Sequence, residues 1–103
     1  MRMSFQIFDM DKKKYTREMA ENLPVLRAKV GMSQEDLAGL IGVTRQTISA
    51  IENKVREMSW QTFLSLLFLF SKNSDTERLM EVMGIYDDNL KQHFSFTNLD
   101  HFK

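Results

Sequence analysis

Apolar positions along the chain recur mostly at intervals of three and four, the period of a helix with one buried face. Met19, Leu23, Leu26 and Val30 take i, i+4, i+7, i+11 spacing, which predicts a first helix over Thr16 to Val30. Pro24 interrupts that run and predicts either a kink or the first turn of a second piece, since proline lacks an N–H and crowds the preceding turn. Gly31 is suited to a left-handed end. Ser33-Gln34-Glu35-Asp36 has the form of a capping box, opening a second helix to about Ile41 with Leu37, Ala38 and Ile41 on one face. Gly42 follows, where a positive φ can end the helix. Thr44 is the next N-cap, and a third helix runs from Arg45 to about Asn53 with Ile48 and Ile51 inward. Lys54 to Met58 reads as a polar loop. Ser59 caps a fourth helix to about Ser71, and Ser74, with Glu77 three residues on, caps a fifth to Gly84.

The two ends are less regular. Asp87 to Phe94 has the make-up of a short helix. Ser4 to Phe8 and Phe94 to Thr97 alternate apolar and polar residues, the pattern of short strands. Phe63 to Phe70 is apolar on nearly every side, more than the single stripe a surface helix needs. Leu79, Met80, Val82, Met83, Ile85, Leu90, Phe94 and Phe96 lie downstream and can cover it. Either the tail folds back on its own domain or it forms a dimer interface; the dimer is the favoured expectation.

Composition sets outer bounds. The 103 residues make one domain. Hydrophobic residues at 43% suffice for one core, and four Gly with one Pro suit a mostly helical chain. With no cysteine there is no disulfide framework, thiolate zinc site or thiol nucleophile. Met1 to Met10 lacks the unbroken apolar stretch of a signal peptide, and Phe63 to Phe70 is far short of a membrane span, so a cytoplasmic location is expected. The formal net charge is zero, but its distribution is uneven. From Lys12 to Arg56 nine basic residues face five acids, a net +4 balanced by −4 elsewhere. A neutral total therefore leaves room for one basic face.

The second and third helices with their turn occupy about 20 residues, so they must cross steeply. Such a crossing needs a small residue in the first helix, a turn residue tolerant of positive φ, and branched apolar residues beneath the second. Ala38, Gly42, Val43, Ile48 and Ile51 supply these in order. The pattern Gln34-x-x-Leu37-Ala38-x-x-Ile41-Gly42-Val43-x-x-x-x-Ile48-x-x-Ile51-Glu52-Asn53 resembles the lambda-repressor/Cro-like, or Xre-type, helix-turn-helix regulators. Leu26-Arg27 and Ser59-Trp60-Gln61-Thr62-Phe63 also fit, and the likeness extends over about Met19 to Gly84. Two positions depart from it. Lys54 stands where the family often has Gly, and Met58 where it often has Pro, so a different loop path is expected after the third helix.

The resemblance implies an all-α fold: a compact four- to five-helix lambda-repressor-like DNA-binding domain with a short C-terminal extension. Residues 1–15 would be an N-terminal arm, 16–84 the domain with its helix-turn-helix unit at 33–53, and 85–103 the extension. It implies double-stranded DNA as partner, a two-fold homodimer, and control of transcription. At about 100° per residue, Ile48 and Ile51 set the buried face of the third helix, which leaves Gln46, Ala50 and Asn53 opposite and Ser49 at the edge. A recognition helix reads bases mainly with its N-terminal part. Base contacts are expected from Arg45, Gln46, Ser49 and Ala50: Arg45 suits guanine, Gln46 adenine, and Ala50 a thymine methyl. Phosphate contacts are expected from Gln34, Thr44, Thr47, Asn53, Lys54 and Arg56, a role the resemblance implies for Gln34, Thr44 and Asn53. It also implies a salt bridge between Arg27 and Glu52. Lys12-Lys13-Lys14 is either an arm reaching DNA or a solvated flank.

No nucleophile–base pair, phosphate-cradling glycine loop or metal cluster is present in the sequence, so an enzyme is not expected and no cofactor is implied. His93 and His101, eight apart, lack further ligands at useful spacing. Two rivals remain: an antitoxin-like module whose aromatic tail binds a partner protein, and a degenerate fold used only for protein interaction.

Overall fold

The computed structural model describes residues 2–95, with side-chain surroundings from residue 12 onward. Six α-helices follow in chain order: α1 (Arg2–Lys29), α2 (Gln34–Ile41), α3 (Arg45–Glu52), α4 (Trp60–Ser71), α5 (Ser74–Val82) and α6 (Asp88–His93). No strand occurs among the described residues.

The first N–H groups of a helix have no partner within it, and polar side chains answer them at five of the six starts. Ser33 and Asp36 form a reciprocal capping box on α2: Ser33 Oγ accepts from the Asp36 N–H (2.9 Å) while Asp36 Oδ2 accepts from the Ser33 N–H (3.0 Å). The backbone and side-chain bonds from Ser33 hold the Asp36 carboxyl below its ordinary range. Thr44 caps α3 through the Thr47 N–H (3.1 Å), Ser59 caps α4 through the Thr62 N–H (3.1 Å), and Asp87 caps α6 through the Leu90 N–H (2.9 Å). On α5 the cap is Asn73, whose Oδ1 accepts from the Asp75 and Thr76 N–H groups, and Ser74 is the first helical residue. Both residue types cap well; the extended backbone at Asn73 places the start one residue earlier than the sequence suggested.

The first helix is longer than expected. α1 begins at Arg2, so Ser4 to Phe8 is helical rather than a strand, and residues 2–15 form its first half. A short alternating run cannot by itself separate strand from helix, and no breaker divides this one from the helix formers Lys12 to Lys14. Pro24 lies inside α1, exposed, and does not split it into two. At the other end, Phe94 C-caps α6, while Phe96 and Thr97 lie outside the described residues.

One core joins all six helices. Tyr15, Met19, Leu23 and Leu26 line the buried face of α1 at intervals of four, four and three. They meet Leu37 and Ala38 of α2, Ile48 and Ile51 of α3, and Phe63, Leu66 and Phe70 of α4. The apolar excess of α4 is thus largely absorbed within the chain, although Phe68 stays 65% exposed. Met80, Ile85 and Leu90 close the core from α5, its following turn and α6, so residues 85–90 pack back on the domain. Tyr15 bonds Asp87 Oδ1 through its hydroxyl (2.6 Å) and stands 6.1 Å from the Phe63 ring, tying α1 to both α4 and the α6 cap. Thr76, fully buried, donates to the Phe70 carbonyl (2.6 Å). Lys91 reaches Glu81 between α6 and α5, a bond that raises the lysine's pKa.

Gly39 in α2 and Gly42 at its C-cap predict opposite outcomes. Gly39 is exposed and helical, and a Cβ there meets nothing within 4 Å. Gly39→Ala should therefore raise stability by about 0.5–1 kcal/mol. Gly42 is equally uncrowded but sits at φ 80° as the C-cap, its N–H bonded to the Ala38 carbonyl at 2.9 Å. Gly42→Ala should lower stability by about 1–2 kcal/mol from backbone strain alone. Urea unfolding checks both, and a loss for the first or no change for the second would contradict these backbone assignments.

Candidate nucleic-acid interface

The α2–turn–α3 unit is set by opposed demands on neighbouring residues. Leu37, Ala38, Ile48 and Ile51 are buried, which fixes which side of each helix faces outward. The three-residue turn Gly42-Val43-Thr44 is tight because the Ala38 carbonyl accepts from both the Gly42 and Val43 N–H groups (2.9 and 3.0 Å). Val43 is half-buried against the core, and Thr44 is exposed with its hydroxyl committed to the cap. Helix α3 then presents Arg45 and Gln46, both exposed, at its first turn. Ser49 and Ala50 follow, half-buried, one turn further along.

Several expected contact residues are brought together around this face. Thr44 Oγ1 and Thr47 Oγ1 lie 3.0 Å apart, and Arg56 Nη1 donates to Thr47 Oγ1 at 3.4 Å. Asn53, exposed at the C-cap of α3, donates from Nδ2 to Ser49 Oγ at 3.3 Å. Lys54 follows at φ 63°, a left-handed conformation, and its ammonium pairs with Glu21 of α1. Such a conformation favours glycine, and it falls at the position where the sequence departs from the family pattern. The backbone has kept the left-handed turn and fitted a lysine to it.

Beneath this face lies an ion-pair node between α1, α2 and α3. Arg27 grips Glu52 with two bonds, Nε to Oε2 at 2.7 Å and Nη2 to Oε1 at 2.9 Å. Its Nη1 donates to the Met32 carbonyl (3.0 Å), and Gln34 Nε2 donates to Glu52 Oε1 (2.9 Å). The Glu52 side chain is only 6% exposed and that of Arg27 18%. The hydrogen bond to Glu52 raises the Arg27 pKa, keeping the guanidinium charged. Gln34, expected as a phosphate contact, therefore also serves inside the fold. Sequence reasoning does not reach that bond, nor the pairing of Lys54 with Glu21, because no local spacing relates these residues. Among the described residues no group of His, Cys, Asp and Glu is placed to hold a metal, and His101 lies outside them. No helix among them is long and apolar enough to cross a membrane.

Residues 26–63 match a family model described as helix-turn-helix, a stretch that runs from the end of α1 through α2 and α3 into the first turn of α4. No curated protein and no solved structure matches the chain. The matched segment supports a DNA-binding helix-turn-helix unit within the chain. More particularly, the matched segment is similar to the lambda-repressor/Cro-like, Xre-type helix-turn-helix regulators.

The ion-pair node makes a separable prediction. Arg27→Met leaves a nearly buried carboxylate with Gln34 as its remaining partner and should destabilise the fold by about 3 kcal/mol. Arg27→Met with Glu52→Leu should cost clearly less than the sum of the two single changes, because neither charge is then stranded. Additive losses in urea unfolding would show that the pair is not coupled.

Proposed function

We propose that this chain is a sequence-specific transcriptional regulator that reads the major groove with α3, as a two-fold homodimer in the cytoplasm. The observation that carries the proposal is the first turn of α3. There, Arg45 and Gln46 stand exposed on a helix whose opposite face, Ile48 and Ile51, is locked into the core. A helix held this way presents long polar side chains from a fixed platform, which is what base reading needs. Arg45 takes guanine and Gln46 adenine, each through paired hydrogen bonds, with Ser49 as a nearer-packed base contact and Ala50 against a thymine methyl. Gln34, Thr44, Thr47, Asn53, Lys54 and Arg56 set the register on the phosphates. In this reading residues 16–84 carry the DNA-binding unit, and residues 85–103 extend it.

A second reading is favoured by one observation. Phe94, at the end of the described tail, is 46% exposed, and Phe68 on α4 65%. An antitoxin-like or protein-interaction module would offer such aromatics to a partner protein. The burial of Ile85 and Leu90 narrows the part of the tail free for that purpose.

Binding to duplexes from around the protein's own gene separates the two. Arg45→Ala and Gln46→Ala should each cost about 1–3 kcal/mol on the preferred sequence. Each should relax preference at one base position while leaving the salt slope nearly unchanged. Equal weakening on every sequence would contradict direct reading by α3, and tight binding of a protein at Phe94 without DNA affinity would favour the second reading.

A further inference from the structure

We infer that the DNA-contacting surface continues from α3 onto α1, where Lys13 and Arg17 grip the phosphate backbone beside the loop that follows α3. This rests on the DNA-binding reading above and adds a site to it. A cleft of about 410 Å³ lies between α1 and the segment from Lys54 to Met58. Ala20, Ile51 and Met58 are among the apolar residues that line it, and four cations line it too: Lys13 and Arg17 from α1, Lys54 and Arg56 from the loop. Glu57 is the one acid among its lining residues.

The four cations are not equivalent to a solvated charge run. Lys13 and Arg17 are four residues apart, so they stand on one face of α1. Their neighbours in the basic run turn elsewhere: the Lys12 ammonium lies 5.4 Å from the Trp60 ring, and that of Lys14 5.7 Å from the Tyr15 ring. Lys13 and Arg17 are exposed, and their side chains make no ion pair or hydrogen bond among the described residues. Lys13 and Arg17 therefore bring unneutralised charge to a cleft that Lys54 and Arg56 also line, and a polyanion removes the repulsion among them. Lys54 adds a second argument. It holds φ 63° in a left-handed conformation that costs an ordinary residue energy, and such conformations cluster at ligand clamps. Its charge is held back toward α1 by Glu21. A phosphate entering the cleft takes Glu21's place, so Glu21 opposes binding while Lys13 and Arg17 favour it.

That opposition gives the test two arms of opposite sign. Affinity of the full chain for a short random-sequence duplex is measured by fluorescence anisotropy over a series of salt concentrations. Lys13→Gln with Arg17→Gln should weaken binding on all sequences and lower the slope of log K against log salt by about 1–2, close to one for each phosphate no longer neutralised. Glu21→Gln should strengthen binding several-fold. Melting curves matching the unsubstituted chain certify that the variants fold. Strong, salt-dependent binding by the unsubstituted chain with an unchanged slope in the double variant overturns the inference while leaving α3 reading intact. Absence of salt-dependent binding by the unsubstituted chain overturns the DNA reading itself, and this site with it.

Discussion

Glu52 is the last residue of α3, nearly buried, and a buried carboxylate without partners is far too costly to keep. Arg27 and Gln34 supply those partners from two other helices, and in doing so they fix where α3 lies relative to α1 and α2. The stabilisation such a node contributes over an apolar substitute is small or negative. Its value is directional: two bonds from a planar guanidinium admit one orientation of the carboxylate, whereas Ile48 and Ile51 alone would tolerate sliding. Hydrophobic burial holds α3 in place, and the node defines its register.

Short helices make that register matter. α2 and α3 have eight residues each, below the length at which a helix is stable alone in water. Caps at Ser33 and Thr44, the left-handed Gly42, and burial of one face from each helix replace intrinsic stability. A unit so dependent on its surroundings cannot be detached from α1 and α4, which supply Met19, Leu23, Phe63 and Leu66 beneath it. The same arrangement leaves Arg45 and Gln46 exposed at the first turn of α3, so substitutions there should not disturb the fold. The neutral total charge is compatible with this, since the cations near α3 and α1 are offset by acids elsewhere in the chain.

Much of this is legible in local patterns. Ser33, Thr44 and Ser59 announce their helices because a short polar side chain followed by an apolar period has few other readings, and Gly42 announces a left-handed turn. Asn73 and Ser74 are adjacent residues of nearly equal capping strength, so only the backbone chooses between them. The start of α1 is hidden because Ser4 to Phe8 is too short to reveal its period. Tyr15 and Asp87 are separated by 72 residues, and no spacing rule relates them. The outward face of α3 follows from the position of its two isoleucines, while Gln34's bond to Glu52 and Lys54's to Glu21 need the folded chain. The left-handed lysine is visible in the sequence only as a departure from pattern, with its backbone unchanged beneath it.

In the proposed reading, one face running from the start of α2 over α3 to its following loop meets DNA. Amide chemical-shift mapping during titration with duplex tests this most directly. The largest shifts are expected at Gln34, at Arg45 to Ala50 and at Asn53 to Glu57, with α5 and α6 nearly still. Shifts concentrated around Phe68 and Phe94, with α3 unmoved, would contradict it.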